Sequence, residues 1–425
     1  MNIIKKISDK PYLHTLYSKV LYAALTFIAN AIVARALGVE LKGDYTWVIN
    51  MANLVAIVAG LGIYQSIPFF KRQDGDNTDI VQEYVNIFIF QFLIYVLIAS
   101  GVIFFFKGEE LITLVCVLAL VDVYSQELNM LMLVDNIFMK NKIFIWGSYL
   151  NFGCSVLCYV FFKDNLAIAV GILVLVKVFY IIGYLLSMKK KPHPFGTSVS
   201  SICSKIKFGY LPMLSFLLVT FNYKIDVLML KANSNVSKAE LGYYAVGVSI
   251  AELAWFIPDV FKEVLFFKTA QKNNYKEVSA VLRVSNMVMV VVILGIIITI
   301  RPLIWVCYGK AFMPSWKVTI LLFLGIPAMS WFKIINTLFT AQGRRKLTFV
   351  MLSISAAINV ITNAITIPII GIYGAAVASV LSYSVCGIVF VIIYARVSGE
   401  KIYNLFILKR GDIRSIVKNK IGKED

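Results

Sequence analysis

Residues 220–230 read TFNYKIDVLML and place an Asn, a Lys and an Asp within five positions of a long apolar run. Two kinds of chemistry follow from such a setting. The Lys ammonium can hold a phosphate by charge-assisted hydrogen bonds. The Asp carboxyl, drawn out of water where its charged form is disfavoured, can exchange a proton; Na⁺ is an equal candidate for its cation. At helical spacing Asn222 and Asp226 are four apart and share a face with Ser215. Lys224 lies about 200° round from Asp226, on a stripe with Thr220 and Lys231, so the two charges do not pair on their own helix.

Similar polar stripes recur along the chain. Thr15, Lys19, Tyr22, Thr26 and Asn30 form one; Asp122, Ser125, Gln126, Asn129 and Asn136 form another. Glu252, Asp259 and Glu263 align, as do Ser330, Lys333, Asn336, Thr337 and Thr340, and Asn359, Thr362, Asn363 and Thr366. Ser, Thr and Asn stripes also glue helices together. Lys19 and Lys177 are long enough to snorkel toward an interface, and Asp259 with Glu263 can form a surface cluster with Lys262 and Lys268. Lys224, Lys333, Asp122, Asp226 and Glu252 lie deeper, where intramembrane charge commonly marks a transport path.

The elements that must carry these residues follow from composition. The 425 residues are 60% hydrophobic and 15% charged, with a mean hydropathy of +0.81. One soluble core cannot use so much apolar surface, whereas a bilayer takes about 20 apolar residues per helix. About twelve such runs are present: 12–37, 44–66, 82–106, 110–134, 143–162, 165–187, 208–231, 240–267, 279–300, 315–340, 347–370 and 373–396. They are too long and continuous for the alternating strands of a barrel. The expected fold is an all-α polytopic membrane protein.

The net charge of +18 invites a nucleic-acid reading, but topology accounts for it better. With both termini in the cytoplasm, the inner segments hold about three times as many Lys and Arg as the outer ones, as the positive-inside rule requires. The N-terminal MNIIKKISDK is basic, but no small-residue cleavage site follows, so the first span is expected to stay as an anchor. The six Cys show no metal or disulfide spacing, and two His leave little material for His-based chemistry. No cofactor is expected beyond an H⁺ or Na⁺ gradient.

The segment 188–207, MKKKPHPFGTSVSSICSKIK, is expected to link an N-terminal lobe (1–187, spans 1–6) to a C-terminal lobe (208–396, spans 7–12), with a basic, solvated cytoplasmic tail at 397–425. VELKGDYTWVI (39–49) and KAELGYYAVGVSI (238–250) open spans 2 and 8 alike, which fits a parallel repeat of the kind seen in transporters.

ARALGVELKGDYTWVI (34–49) resembles the signature after the first span of the polysaccharide transporter family, within the multidrug/oligosaccharidyl-lipid/polysaccharide (MOP) exporter superfamily. The likeness continues through FGYLPMLSFLLVTFNYKIDVLMLKANSNVSKAELGYYAVGVSIAE (208–252), CYGKAFMPSW (307–316), AQGRRK (341–346) and GIYGAAVAS (371–379). Signature positions present are Arg35, Gly38, Glu40, Gly43, Tyr45, Asp226, Gly242 and Tyr243. The resemblance implies twelve helices in two six-helix lobes with a central cavity. It also implies a Wzx-like flippase moving undecaprenyl-diphosphate-linked oligosaccharide, an O-antigen or capsule repeat unit, across the bacterial inner membrane. Membrane lipids and other glycan-assembly proteins are the expected partners, with no nucleic acid.

On that reading Lys19, Arg35, Asn222, Lys224 and Lys333 are candidates for substrate binding, and Asp122, Asp226 and Glu252 for ion coupling. A multidrug/cation antiporter of the same superfamily is the nearer rival, and would favour an acid-dominated interior. A membrane glycan polymerase or ligase is the rival of another class. It commonly carries a sizeable outer loop and acid/base groups, whereas these outer connections are short. No enzymatic activity is expected.

Overall fold

The computed structural model describes residues 11–73, 79–188, 198–259, 261–262 and 275–412. Long apolar runs become helices because a helix satisfies its backbone polar groups within one segment, as hydrocarbon demands. The first helix, α1 (Pro11–Ala59), has 49 residues. At 1.5 Å per residue it is about 74 Å long, more than twice the ~30 Å hydrocarbon thickness. Gly38, at φ 69°, breaks it into two spans. That backbone region strains any residue with a Cβ. The break frees the Ala36 carbonyl, which accepts a hydrogen bond from the Asp164 amide at 2.9 Å.

The remaining helices are α2 (Ile67–Gln73), α3 (Asp79–Phe105), α4 (Glu110–Asp135), α5 (Ile137–Phe161), α6 (Leu166–Ser187), α7 (Val199–Ala232) and α8 (Lys238–Ala254), followed by α9 (Tyr275–Cys307), α10 (Ser315–Phe323), α11 (Ile326–Ala341), α12 (Arg345–Ile370) and α13 (Ile372–Ser398). Among the described residues ten helices are long and apolar enough to cross a membrane, and the bent α10–α11 pair makes an eleventh. α1, broken at Gly38 and more than twice as long as the hydrocarbon is thick, takes the place of the first two of the expected spans. Large apolar side chains such as Ile298 and Leu97 stand outward at 78% and 74% exposure, which suits lipid and not water.

The tenth expected span is not continuous. α10 and α11 meet at 40°. Pro327, in the first turn of α11, has no N–H to donate to the end of α10.

The chain forms two compact units, residues 1–220 and 221–425, and α7 runs through the boundary. Residues 199–207, read from sequence as part of the linker, are the first turns of α7. Lys205 there is buried and pairs with Glu83 of α3 at 2.9 Å, which ties this stretch to the first unit. Residues 189–197 lie outside the described residues.

In the second unit Ser237 and Glu240 form a capping box that starts α8. α11 and α13 pack so closely that a Cβ on Gly387 would lie 2.1 Å from the Ala328 carbonyl oxygen. Such small-residue contacts are a usual means of association in lipid.

The tail, expected as a solvated segment, is mostly partly or fully exposed over its described residues and is held at two points. A 3-10 turn (Ile402–Leu405) buries Leu405. Arg283 of α9 binds Asp412 bidentately, at 2.7 and 2.8 Å, and reaches Glu400 at 3.5 Å. Burial raises the Asp412 carboxyl, but the hydrogen bonds and charge of Arg283 and the Lys409 amide outweigh it and hold the group below the ordinary Asp value. Residues 413–425 lie outside the described residues.

Candidate functional site

The opening stretch splits on α7 as its 100° step requires. Asp226 and Asn222 face inward at 2% and 0% exposure, and Lys224 looks the other way. Asp226 accepts hydrogen bonds from the Tyr244 hydroxyl of α8 at 2.8 Å, from Asn363 Nδ2 of α12 at 2.7 Å, and from the Ser379 hydroxyl of α13. No Lys or Arg is bonded to it among the described residues. Asn359 Nδ2 donates to the Asn222 side-chain and backbone oxygens, both at 3.0 Å, and Asn359 accepts from Asn363. Asn222 in turn donates to Ser355 at 3.0 Å.

This network converges from α7, α8, α12 and α13 on one carboxyl. Asn363 Oδ1, beside it, has no partner among the described residues. Asp226 also borders a small space, shared with Glu252, Trp255 and Tyr383, with room for about one water. A carboxylate, an amide oxygen and hydroxyls at such a place suit a proton or a hard cation.

The second face of α7 carries an ion pair. Lys224 Nζ lies 3.0 Å from Glu252 Oε1 of α8, and both side chains are partly exposed. Lys333 of α11 sits 3.1 and 3.2 Å from the two carboxylate oxygens of Asp259 and 4.8 Å over the Trp255 ring. Asp259 was expected in a surface cluster with Lys262 and Lys268. Its side chain is 48% exposed and pairs with Lys333, which also lies in electrostatic range of Lys262; Lys268 lies outside the described residues. The side chains of Glu263 and Thr15 lie outside the described residues.

The first unit holds a comparable pair. Asp122 Oδ1 is 2.5 Å from Lys177 Nζ of α6, while its Oδ2 accepts from Gln126 at 3.0 Å and Asn53 at 3.5 Å. Lys177 therefore does not snorkel as expected: a carboxylate from a neighbouring helix holds it inside. A polar cavity of about 130 Å³ adjoins the pair, lined by Thr26, Ser125, Asn129, Ser148, Asn151 and Lys177, among others.

The other stripes divide between cavity and glue. Tyr22 and Thr26 reach the cavity, whereas Asn30 accepts from Lys42 at 2.5 Å. Asn136 leaves its stripe and caps α5 through the Met139 amide. Ser330 bonds Ser285, and Asn336 accepts from Thr348, so both tie helices together. Lys19 is half-buried on α1 within electrostatic range of Lys140, and Arg35 is exposed just before the Gly38 break.

Sequence reasoning missed Tyr244, Ser379 and Glu127. Tyr244 and Ser379 sit in apolar or small-residue runs that give no polar stripe. Glu127 is off the Asp122 face, and an acid inside an apolar run was its available signal.

Comparison with curated proteins finds no matching sequence. Among solved structures, the chain is similar to the lipid II flippase MurJ in an inward closed conformation, with a TM-score of 0.73 at 14% identity, over 98% of this chain and 93% of that one. It is also similar to a multidrug resistance MATE family transporter of the MOP superfamily facing inward, with a TM-score of 0.66 at 14% identity, covering 90% and 95%. A MOP superfamily transporter from Pyrococcus furiosus gives 0.54 at 12% identity, covering 93% and 96%. At these identities the likeness is one of fold: the two-lobe, all-helical transporter architecture. Sequence supplies the lineage, since residues 32–317 match the family described as polysaccharide biosynthesis protein. With its signature glycine at the α1 break and its Asp226 network inside that same architecture, the chain belongs to the polysaccharide biosynthesis protein family.

Proposed function

We propose that this protein is a flippase. It moves a polyprenyl-diphosphate-linked oligosaccharide, an O-antigen or capsule repeat unit, across the bacterial cytoplasmic membrane by ion-coupled alternating access. Both termini are cytoplasmic on this reading, and no covalent chemistry is catalysed. Family membership and the flippase-like fold support it, and one observation carries it: three lysines inside the spans, Lys177, Lys224 and Lys333, are each held by a carboxylate from another helix or from the turn beyond α8. A buried charge left alone is costly, so each ammonium is kept neutralised while no anion is present.

A diphosphate offers the same acceptor chemistry with more charge. It displaces Glu252 from Lys224, and Asp259 from Lys333, forming charge-assisted hydrogen bonds. The released carboxylate then needs a cation of its own, which links substrate arrival to ion uptake. Asp226 is the coupling group proper, holding H⁺ or Na⁺ among Tyr244, Asn363 and Ser379. Asn and Thr side chains bond the glycan, and the polyprenyl tail stays in lipid.

Proteoliposomes with labelled undecaprenyl-diphosphate oligosaccharide on one leaflet test the reading. A glycan-cleaving enzyme on the other side reports arrival. Protein-dependent cleavage supports the flippase. Efflux of organic cations without flipping would turn the reading to the multidrug antiporter, and a glycan of altered length to a polymerase or ligase.

A further inference from the structure

Glu127 on α4 is 1% exposed, and neither carboxylate oxygen has a hydrogen-bond partner among the described residues. It stands about 140° round the helix from Asp122, off the face that meets Lys177. Three titratable groups lie in electrostatic range: Tyr64 from the 3-10 turn (Tyr64–Ser66) that follows α1, Tyr95 from α3, and Tyr124 on α4 itself. From α1, α2, α5 and α6, no Lys, Arg or His is paired with it among the described residues.

The same surroundings leave other polar atoms without partners. Both amide atoms of Gln65, the Gln91 carbonyl oxygen and the Tyr124 hydroxyl are buried and unbonded among the described residues. Gln91 is fixed in place by its Nε2, which donates to the Ala59 carbonyl at 2.7 Å and to the Tyr95 hydroxyl at 3.2 Å. Gln65 meets the Tyr64 side chain.

A bare carboxylate in such a setting neutralises itself by acquiring a cation. Its own carboxylate and the phenol oxygens in its range are hard donors, as are the amide oxygens of Gln65, next to Tyr64, and Gln91, bonded to Tyr95; such donors suit hard ions and not soft ones. We propose that Glu127 is a second monovalent-cation site, in the first unit, that holds a proton or Na⁺ with Gln65, Gln91 and Tyr124 supplying further oxygens. This goes beyond the flippase reading and does not rest on it, because it concerns binding and not transport.

The test is infrared difference spectroscopy of the full chain in nanodiscs at neutral pH, in choline chloride and then in NaCl. The expected result is a protonated-carboxyl C=O band in choline that is lost in Glu127→Gln, shifted in Glu127→Asp and retained in Asp226→Asn. If the band persists in NaCl, the cation is a proton. If NaCl removes it with release of a proton, the site exchanges H⁺ for Na⁺. Absence of any Glu127-dependent band in choline overturns the proposal, because the carboxylate is then ionised without either cation. Should Glu127→Gln fail to fold, ¹³C-glutamate labelling of the unaltered chain combined with Glu127→Asp reads the same band. Loss of flipping with the band intact would count against the flippase and leave this site standing.

Discussion

Lys224 and Asp226, two residues apart on α7, belong to different sites. Lys224 meets Glu252 at 3.0 Å on a partly exposed face, while Asp226 is closed in by Tyr244, Asn363 and Ser379. One helix thus presents an ion pair and an enclosed carboxyl on different faces, with Glu252 of the pair also bordering the small space beside Asp226; on the proposed reading, the anion site and the cation site are neighbours.

The first prediction concerns the ion pair. Lys224→Ala should weaken diphosphate-lipid binding about tenfold to a hundredfold, the worth of a charged hydrogen bond. Glu252→Gln should do the reverse, since it removes the competitor and leaves Lys224 free for phosphate. Binding of a soluble diphosphate-lipid analogue to purified protein measures both. Equal affinity in all three proteins would remove this pair from the substrate site.

The second concerns Asp226. Asp226→Asn keeps the shape of the network and should leave passive equilibration of substrate intact while abolishing accumulation driven by an ion gradient. Asp226→Ala should in addition lower stability, by about 1–3 kcal/mol for each buried donor left unbonded. Gradient-driven accumulation at the normal rate in Asp226→Asn would exclude it as the coupling group.

A third prediction comes from the first unit. Asp122→Asn leaves Lys177 without its counter-charge, and should cost about 2–3 kcal/mol, toward the low end for broken pairs because Lys177 is partly exposed. Adding Lys177→Met should restore most of the loss. Thermal unfolding of the single and double variants gives the coupling, and additive losses would mean that the two side chains act independently.

The tail gives a pH prediction. The Asp412 carboxyl lies below its ordinary value, so its ionised form is the one the folded state favours. Its contribution is therefore complete above the unfolded pKa of about 3.9 and is lost as pH falls through the lower folded value. Hydrogen-exchange protection across residues 402–412, taken relative to the intrinsic exchange rate at each pH, should be high at neutral pH and fall in acid. Asp412→Asn should lower the protection at neutral pH and match the unaltered protein in acid.

How much of this was legible varies with the kind of signal. The twelve spans were, because apolar length is a property of each segment alone. So were the two faces of α7 and the shared face of Asn359 and Asn363, since helical spacing fixes them. Even the α1 break has a visible cause in Gly38, which lies in the charged stretch between the first two apolar runs, although the spacing there does not say how sharply the chain turns.

The sequence by itself determined a multi-span membrane chain and the helical faces on which Asn222, Lys224, Asp226, Asn359 and Asn363 stand, because hydrophobic length and the 100° step are local. Tertiary structure alone decided who meets whom. Lys177 finds Asp122 across 55 residues, Asp226 gathers Asn363 and Ser379 from more than a hundred residues away, and Glu127 has no hydrogen-bond partner among the described residues. The physical reason is that in hydrocarbon a charge must be matched by whatever helix packs against it, and that neighbour is set by the fold and not by nearness in the chain.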